Sequence, residues 1–165
     1  MQNTPEQTQW LQNPESLSKR LREYTKNQIE FVLHEASWAR INSDEQNKLA
    51  VNSSRFWVRE ISWQYHGKCW VWARTVIPES SLESLSRNLM QNPNLSIGDI
   101  LFSGDKWQRG EIELFDVDQD HFYAAELKNF SLEMIWPLKA RSSVFVCENK
   151  KILVTEVFFP EFLHV

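Results

Sequence analysis

The stretch RFWVREISWQYHGKCWVWARTVIP, residues 55–78, decides the fold because it places two β-rich runs on either side of a turn signal. His66 and Gly67 separate the runs and suit a two-residue hairpin turn. Side chains alternate between the two faces of a strand, so one face of the second run combines Arg74 with apolar side chains. Those apolar residues are Trp70, Trp72 and Val76. The stretch therefore predicts an antiparallel β-hairpin with a charged residue on an apolar face.

Further strands are predicted on both sides of this hairpin. Residues 28–36 and 111–115 alternate apolar and polar side chains. Near the end of the chain, residues 141–147 and 151–159 form a second predicted hairpin that turns through 148–150. The pattern predicts mostly antiparallel strands with a few short helices, and therefore a single α+β domain.

Three short helices are predicted from capping signals and apolar spacing. They begin at Asn13 with Pro14, at Ser80 with Glu83 as a capping box, and at Ser96 with Asp99. The first has Leu17, Leu21 and Tyr24 on one face, and the second has Leu82, Leu85 and Leu89. Residues 1–12 predict a loose polar N-terminal arm ahead of a domain at 13–165, with Trp10 and Leu11 as candidates to anchor the arm. The polar residues 41–54 predict a loop, with a loop that includes a turn of helix as the alternative.

Length and charge exclude several classes of protein. With 165 residues the chain is long enough for one domain with a real core. Its formal net charge of −4 argues against binding along a phosphate backbone. No apolar run approaches the length of about 18 residues that spans a bilayer. Residues 1–13 lack the pattern of a signal peptide. We therefore expect a cytoplasmic protein with no nucleic-acid partner and no stable membrane insertion.

The aromatic residues, 8 Trp, 10 Phe and 3 Tyr, allow a surface that stacks on bases or sugars, but Trp in alternating strands favours core packing. Cys69 and Cys147 both lie in apolar runs and predict buried free thiols, with a disulfide between neighbouring strands as the alternative. The 4 His are scattered without the spacing of metal ligands. We therefore expect no metal site.

Two charged residues stand out because the strand pattern surrounds them with apolar side chains. Arg74 and Glu156 each occupy an apolar strand face, which is costly unless the charge is paired or used. One interpretation is a structural buried ion pair, formed between these two residues or with other partners. The other is a pocket in which Arg74 binds a carboxylate and Glu156 binds a hydroxyl. Leu17 and Ile97 lie in first helical turns, whose free amides attract anions, although core packing also explains them.

Five segments of the sequence resemble the bacterial chorismate lyase family. They are ESLSKRL (15–21), RFWVREI (55–61), WVWARTVIP (70–78), IGDILF (97–102) and LVTEVFFP (153–160), and the resemblance spans residues 10–116 and 138–160. It implies a six-stranded antiparallel sheet with helical flaps over an internal ligand site. It also implies a lyase that removes pyruvate from chorismate to give 4-hydroxybenzoate, the first step of ubiquinone synthesis, without cofactor or metal.

The resemblance assigns roles to residues one by one. The family arginine that holds the carboxylate of the product is matched to Arg74, and the family glutamate that meets its hydroxyl is matched to Glu156. The two apolar residues that close over the ligand are matched to Leu17 and Ile97. Arg74 and Glu156 are the implied catalytic residues, and all four are implied to bind substrate. An enclosed pocket within one domain needs no partner, so we expect a monomer.

Two departures from the family pattern leave alternatives open. The segment LKARSS (138–143) lacks a Trp and one Arg of the family pattern, and residues 117–137 resemble an insertion. An inactive homologue that binds 4-hydroxybenzoate is one alternative. A non-catalytic module that senses small aromatic acids, like the effector domains of bacterial transcription regulators, is another. Such modules usually follow a DNA-binding domain. About 13 residues precede the first predicted helix here, which argues against the sensing module.

Overall fold

The computed structural model describes residues 3–85, 89, 92 and 94–163. The strands within these residues are β1 (Glu30–Ala39), β2 (Phe56–Tyr65), β3 (Lys68–Pro78), β4 (Gln108–Arg109), β5 (Glu113–Val117), β6 (Leu138–Cys147) and β7 (Lys150–Phe158). The helices are α1 (Pro5–Gln12), α2 (Leu17–Tyr24), α3 (Ser43–Leu49), α4 (Glu79–Leu82), α5 (Ile97–Leu101), α6 (Ala124–Leu127) and α7 (Pro160–Leu163), with a 3₁₀ helix at Lys128–Phe130. None of these helices combines the length and apolar composition required to cross a membrane.

The strands form one antiparallel sheet in the order β1-β2-β3-β7-β6-β4, and β5 also pairs with β6. The α+β class is confirmed, although the sheet has seven strands where the family resemblance implies six. The difference arises because β4 and β5 pair with successive parts of β6 and so occupy one position in the sheet. Gly110 lies between them, and a Cβ there would be 2.8 Å from the Val144 carbonyl oxygen.

The hairpin of β2 and β3 confirms the prediction for residues 55–78. His66 and Gly67 both have positive φ, at 50° and 75°, as the predicted two-residue turn requires. The strand alternation fails at one residue, however. Val71 pairs with Trp63 and Cys69 with Gln64, so Trp70 is an extra residue in a β-bulge. Trp70 therefore packs on the face opposite to Trp72 and Arg74.

The register of the central strands defines two faces of the sheet. Ala73 pairs with Glu156, and Glu156 pairs with Arg141, so these three side chains share one face, called here the Glu156 face. Arg74 is the next residue along β3 and points to the other side, called here the Arg74 face, which it shares with Glu60 of β2. Apolar clusters with helices cover both faces of the sheet.

The segment predicted as a polar arm contains a capped helix. Thr4 and Gln7 form a capping box at the start of α1, and Leu11 is buried in the core with 1% exposure. The next helix begins at Leu17 with Ser16 as its N-cap, not at Asn13 and Pro14. Asn13 instead follows α1, where its side-chain oxygen accepts a hydrogen bond from the Glu15 amide.

Other elements depart from the predicted boundaries. The predicted loop at 41–54 contains α3, which begins at an Asn42–Glu45 capping box. The helix predicted at Ser80 begins at Glu79 after Pro78 and has no side-chain cap. The Ser81 hydroxyl instead donates to the carbonyl of Lys151 on β7 and accepts from its amide. Of its predicted continuation toward Leu89, residues 86–88 lie outside the described residues. Cys69 and Cys147 are free thiols as predicted, although only Cys69 is fully buried.

Candidate active site

A narrow cavity of about 50 Å³ lies on the Glu156 face, between the sheet and the first turns of α2 and α5. The strands β2, β3, β6 and β7 form its floor, and the two helices form its roof. Its lining is mostly apolar, with charged groups at one end. The lining residues are Leu17, Ser18, Ile61, Trp63, Ala73, Ser96, Ile97, Gly98, Leu101, Arg109, Arg141, Phe145, Val154 and Glu156.

Glu156 is the carboxylate of this cavity and is held by two arginines. Arg141 Nε donates to Glu156 Oε1 at 3.1 Å, and its Nη2 donates to Oε2 at 3.5 Å. Arg109 Nη2 donates to the same Oε1 at 3.5 Å. Arg141 and Glu156 are cross-strand neighbours on β6 and β7, so the sheet register brings them together. Two guanidinium groups around one buried carboxylate leave this end of the cavity positively charged.

Arg109 is fixed by contacts on three sides. Its Nε donates to Ser143 Oγ at 2.9 Å, and its Nη1 donates to the Pro14 carbonyl at 3.2 Å. Burial lowers the pKa of Arg109 to about 10, and Glu156 partly offsets this effect. The charged form of Arg109 is therefore costly in the free protein, and a second anion would stabilise it.

The roof of the cavity is formed by two capped helix starts that touch each other. Ser16 Oγ accepts from the Lys19 amide at the start of α2, and Ser96 Oγ accepts from the Asp99 amide at the start of α5. Gly98 permits the close approach, because a Cβ there would lie 3.1 Å from Ser18 Oγ. The first turns of both helices therefore meet over the cavity, with Leu17 and Ile97 in its lining.

A bidentate ion pair joins the two roof helices on their outer side. Arg22 of α2 donates to both carboxylate oxygens of Asp99 on α5, at 2.8 and 2.7 Å. The hydrogen bond from Arg22 is the main cause of a lowered pKa at Asp99. This pair is the direct charged link between the helices that close the cavity, and we call it the clasp.

Arg59 is a further buried arginine on the Glu156 face. On β2 it occupies the same face as Ile61 and Trp63, which line the cavity, and it is 4% exposed. Its Nη2 donates at 2.6 Å to the carbonyl of Leu95, just before the start of α5. Burial lowers the pKa of Arg59 to about 10. The sequence contains the signal that could have found Arg59, because Arg59 alternates with apolar residues along its strand just as Arg74 does.

The structure groups three of the four predicted site residues. Leu17, Ile97 and Glu156 line one cavity, but Arg74 lies on the opposite face of the sheet and does not line it. Arg74 Nε and Nη2 donate to the two oxygens of Glu45 at 2.8 and 3.1 Å. Arg74 therefore forms a buried ion pair, as the structural interpretation predicts, but with Glu45 rather than Glu156.

The two tryptophans that precede Arg74 on β3 are also absent from the lining of the cavity. Trp70 stacks on Phe162 at 4.8 Å between ring centroids, and Trp72 packs against Tyr123 at 5.3 Å. The tryptophan in the lining is Trp63. Within the described ranges, no group of three or more His, Cys, Asp or Glu residues is arranged to hold a metal ion.

The family model for chorismate lyase matches residues 1–164. The chain belongs to the chorismate lyase family. It is 37% identical over 161 residues to a probable chorismate pyruvate-lyase of Coxiella burnetii, covering 95% of this chain and 84% of that protein. It is 27% identical over 152 residues to a chorismate pyruvate-lyase of Photorhabdus laumondii, covering 92% of this chain and 80% of that one.

Solved structures with the same fold as this chorismate lyase family member include domains of transcription regulators. A GntR-family regulator from Bacillus cereus aligns with a TM-score of 0.61 and 12% identity, over 81% of this chain and 93% of that chain. The effector-binding domain of the Bacillus subtilis trehalose repressor aligns with a TM-score of 0.58 and 11% identity, over 80% and 91%. At such identities the likeness concerns the fold alone.

Proposed function

We propose that the protein is a chorismate lyase that removes pyruvate from chorismate to give 4-hydroxybenzoate, the first step of ubiquinone synthesis. Membership of the family over residues 1–164 supports the reaction. The observation on which the proposal rests is the buried carboxylate of Glu156, held by Arg109 and Arg141 at the end of an apolar cavity. Such a cavity suits a ring that carries carboxylate and hydroxyl groups.

The proposed reaction balances without an added oxidant or reductant. The bond between the ring and the enolpyruvyl oxygen breaks, and the ring carbon that bears the hydroxyl loses its hydrogen as a proton. The electron pair of that C–H bond completes the aromatic ring. The released enolpyruvate takes up a proton on its methylene carbon and becomes pyruvate. Aromatisation drives the elimination, so the task of the protein is to position the substrate and balance its charges.

The residues of the cavity fit these tasks. Glu156 binds the ring hydroxyl and, because the departing proton is on the same carbon, the same carboxylate is suited to accept it. We assign to Arg59 the carboxylate-binding role that the family resemblance gives to Arg74, because Arg59 is buried on the cavity face and its planar guanidinium suits a carboxylate. The amides at Leu17 and Ile97 assist from the roof.

Substrate binding requires the roof to move. The cavity of about 50 Å³ is far smaller than the roughly 300–1,000 Å³ of ordinary ligand pockets. We therefore propose that α2 and α5 separate to admit chorismate and close again to exclude water. Release of the aromatic product through the same movement is then a slow step. The cavity is formed within one chain, which favours action as a monomer, and we expect this in the cytoplasm.

The test is a product assay on the purified protein. Incubation with chorismate should yield equal amounts of 4-hydroxybenzoate and pyruvate, quantified by chromatography. Glu156→Gln should abolish most turnover, whereas Glu161→Gln, an exposed carboxylate of α7, should leave it unchanged. A yield no higher than spontaneous decomposition would refute the lyase proposal.

The second candidate function is binding of a small aromatic acid without turnover, favoured by the likeness in fold to the effector-binding domain of the trehalose repressor. Tight binding of 4-hydroxybenzoate in the absence of product formation would support this candidate over the lyase.

A further inference from the structure

A second cavity, of about 340 Å³, lies on the Arg74 face and is separate from the candidate active site. Strands β1, β2 and β3 form its floor. Its wall comes from α6 and the 3₁₀ helix, which belong to the segment 117–137 that the proposed reaction does not use. The lining residues are His34, Glu35, Glu60, Trp72, Glu126, Asn129 and Phe130.

The floor of this cavity contains a buried carboxylate oxygen without a hydrogen bond. Glu60 is 8% exposed, and among the described residues its Oε2 has no donor. Its Oε1 lies 3.7 Å from Arg74 Nη1, but Arg74 makes its short hydrogen bonds to Glu45. An ionised carboxylate that is buried with one oxygen unsatisfied is destabilising in the empty cavity. Burial raises the pKa of Glu60 accordingly, although Arg74 opposes the rise.

The rim adds negative charge to the same space. Glu35 and Glu126 line the cavity as exposed residues. His34 Nε2 shares a hydrogen bond of 2.7 Å with Ser62 Oγ, and burial lowers the pKa of His34, so this ring adds no positive charge near neutral pH. The cavity therefore combines three carboxylates with an interior suited to a cation.

Aromatic side chains define the shape of the ligand. The rings of Trp72 and Phe130 line the cavity beside the carboxylates, and aromatic faces attract cations as well as apolar groups. The volume falls in the range of small-molecule pockets, roughly 300–1,000 Å³. The arrangement of the carboxylates is not that of a metal site in the part of the chain that the structure describes. An organic ammonium ion has the N–H donors that Glu60 Oε2 lacks and an apolar body for the rings.

We propose that this cavity binds a small organic cation, a primary ammonium group on an apolar or aromatic body. The ammonium donates a hydrogen bond to Glu60 Oε2 and is attracted by Glu35 and Glu126. The body of the ligand lies against Trp72 and Phe130. This site is independent of the proposed elimination, because it lies on the opposite face of the sheet.

The test uses benzylammonium chloride as the probe and isothermal titration calorimetry on the full chain. One benzylammonium should bind per chain, and Glu60→Gln should weaken the affinity at least about tenfold, because hydrogen bonds between charged groups exceed neutral ones. The control Glu111→Gln, at an exposed carboxylate outside the cavity, should bind like the unchanged protein. Benzyl alcohol has the same ring without the charge and should not bind.

Two further measurements test the site. If Glu60→Gln does not fold, the variant Glu126→Lys is used instead, because Glu126 is exposed and its replacement should not disturb the fold. The positive charge of the new side chain should repel the benzylammonium probe and weaken its binding. Saturating 4-hydroxybenzoate should leave the binding of benzylammonium in place, which separates this cavity from the active site. The proposal is overturned if no benzylammonium binds, if the variants bind it with unchanged affinity, or if 4-hydroxybenzoate displaces it.

Discussion

Arg141 is the residue whose loss should disturb the candidate active site most. It is 0% exposed and donates through Nε and Nη2 to Glu156 at 3.1 and 3.5 Å. Its Nη1 donates to three carbonyls at the end of α1, those of Trp10, Leu11 and Asn13, at 3.3, 3.2 and 2.7 Å. One side chain therefore links the carboxylate of the cavity to the N-terminal helix.

The replacement Arg141→Met removes all of these hydrogen bonds, and the apolar methionine side chain still fills part of the space of the arginine. Breaking a buried ion pair from one side costs about 3–5 kcal/mol, because the remaining charge stays buried. The weaker bond from Arg109 to Glu156 remains, whereas the three carbonyls lose their shared donor. Against a total of about 5–15 kcal/mol for a domain, we expect a marked loss of stability and of 4-hydroxybenzoate binding.

A double-mutant cycle tests this reasoning. Urea unfolding of Arg141→Met, Glu156→Gln and the double variant should show that the double variant loses at least about 1 kcal/mol less than the sum of the single losses. The reason is that Glu156→Gln removes the charge that Arg141→Met leaves unpaired. Arg141→Lys, which keeps the charge but loses the fork, should lie between the wild type and Arg141→Met. Additive losses, or a loss below about 1 kcal/mol for Arg141→Met, would refute the proposed coupling.

Four other perturbations probe the roof and the opposite face. Arg22→Ala should reduce stability by no more than about 1 kcal/mol, since the clasp is part-exposed, but should speed release of 4-hydroxybenzoate in stopped-flow experiments. Because the pKa of Asp99 is lowered in the folded protein, the clasp stabilises the fold fully above the ordinary aspartate pKa of about 3.9. This stabilisation is lost as pH falls through the lowered pKa. Urea unfolding measured against pH should show the loss in the wild type but not in Asp99→Asn. Gly98→Ala should push the roof helices apart by a few tenths of an ångström, and should weaken 4-hydroxybenzoate binding in a fluorescence titration. Arg74→Met should cost about 3–5 kcal/mol in urea unfolding by leaving Glu45 unpaired, with unchanged 4-hydroxybenzoate affinity in the folded fraction.

Control variants and contrary results sharpen these tests. Arg55→Ala removes an exposed ion pair away from the roof, so product release should not change. An equal rate in Arg22→Ala would mean that the clasp does not restrain the roof. Gly104→Ala, where a Cβ meets nothing within 4 Å, serves as the control for Gly98→Ala. A loss of 4-hydroxybenzoate affinity in Arg74→Met, at unchanged stability, would return the carboxylate-binding role to Arg74.

The hairpin and the strands can be predicted from the sequence because their signals are local. Alternation marks the half-buried strands, and His66 with Gly67 permits the tight turn. The position of Arg74 could not be predicted in this way. Alternation shows which residues of one strand share a face, but the register between strands decides whether Arg74 and Glu156 point to the same side. Ala73, not Arg74, pairs with Glu156.

The sequence predicts the helices α1 and α3 only in part. Thr4 with Gln7 and Asn42 with Glu45 are capping boxes that precede polar segments, and polar composition alone suggests an arm or a loop. What makes these segments helical is tertiary packing of very few apolar residues, such as the buried Leu11 and the half-buried Trp10 on α1, against the rest of the core. A single buried leucine produces no periodic pattern in a helix of 8 residues.

The two faces of the sheet explain why a small residue and a large charged one are neighbours on β3. Ala73 leaves space above the sheet, and the cavity of the candidate active site occupies that space. Arg74 fills the other face, where Glu45 satisfies its charge, and Tyr123 donates to Glu45 at 2.8 Å. A cavity wall needs a rigid sheet behind it, because a floor that could shift would not hold the Glu156 carboxylate in a fixed position. The ion pair on the Arg74 face is therefore best understood as support for the candidate active site rather than as part of it.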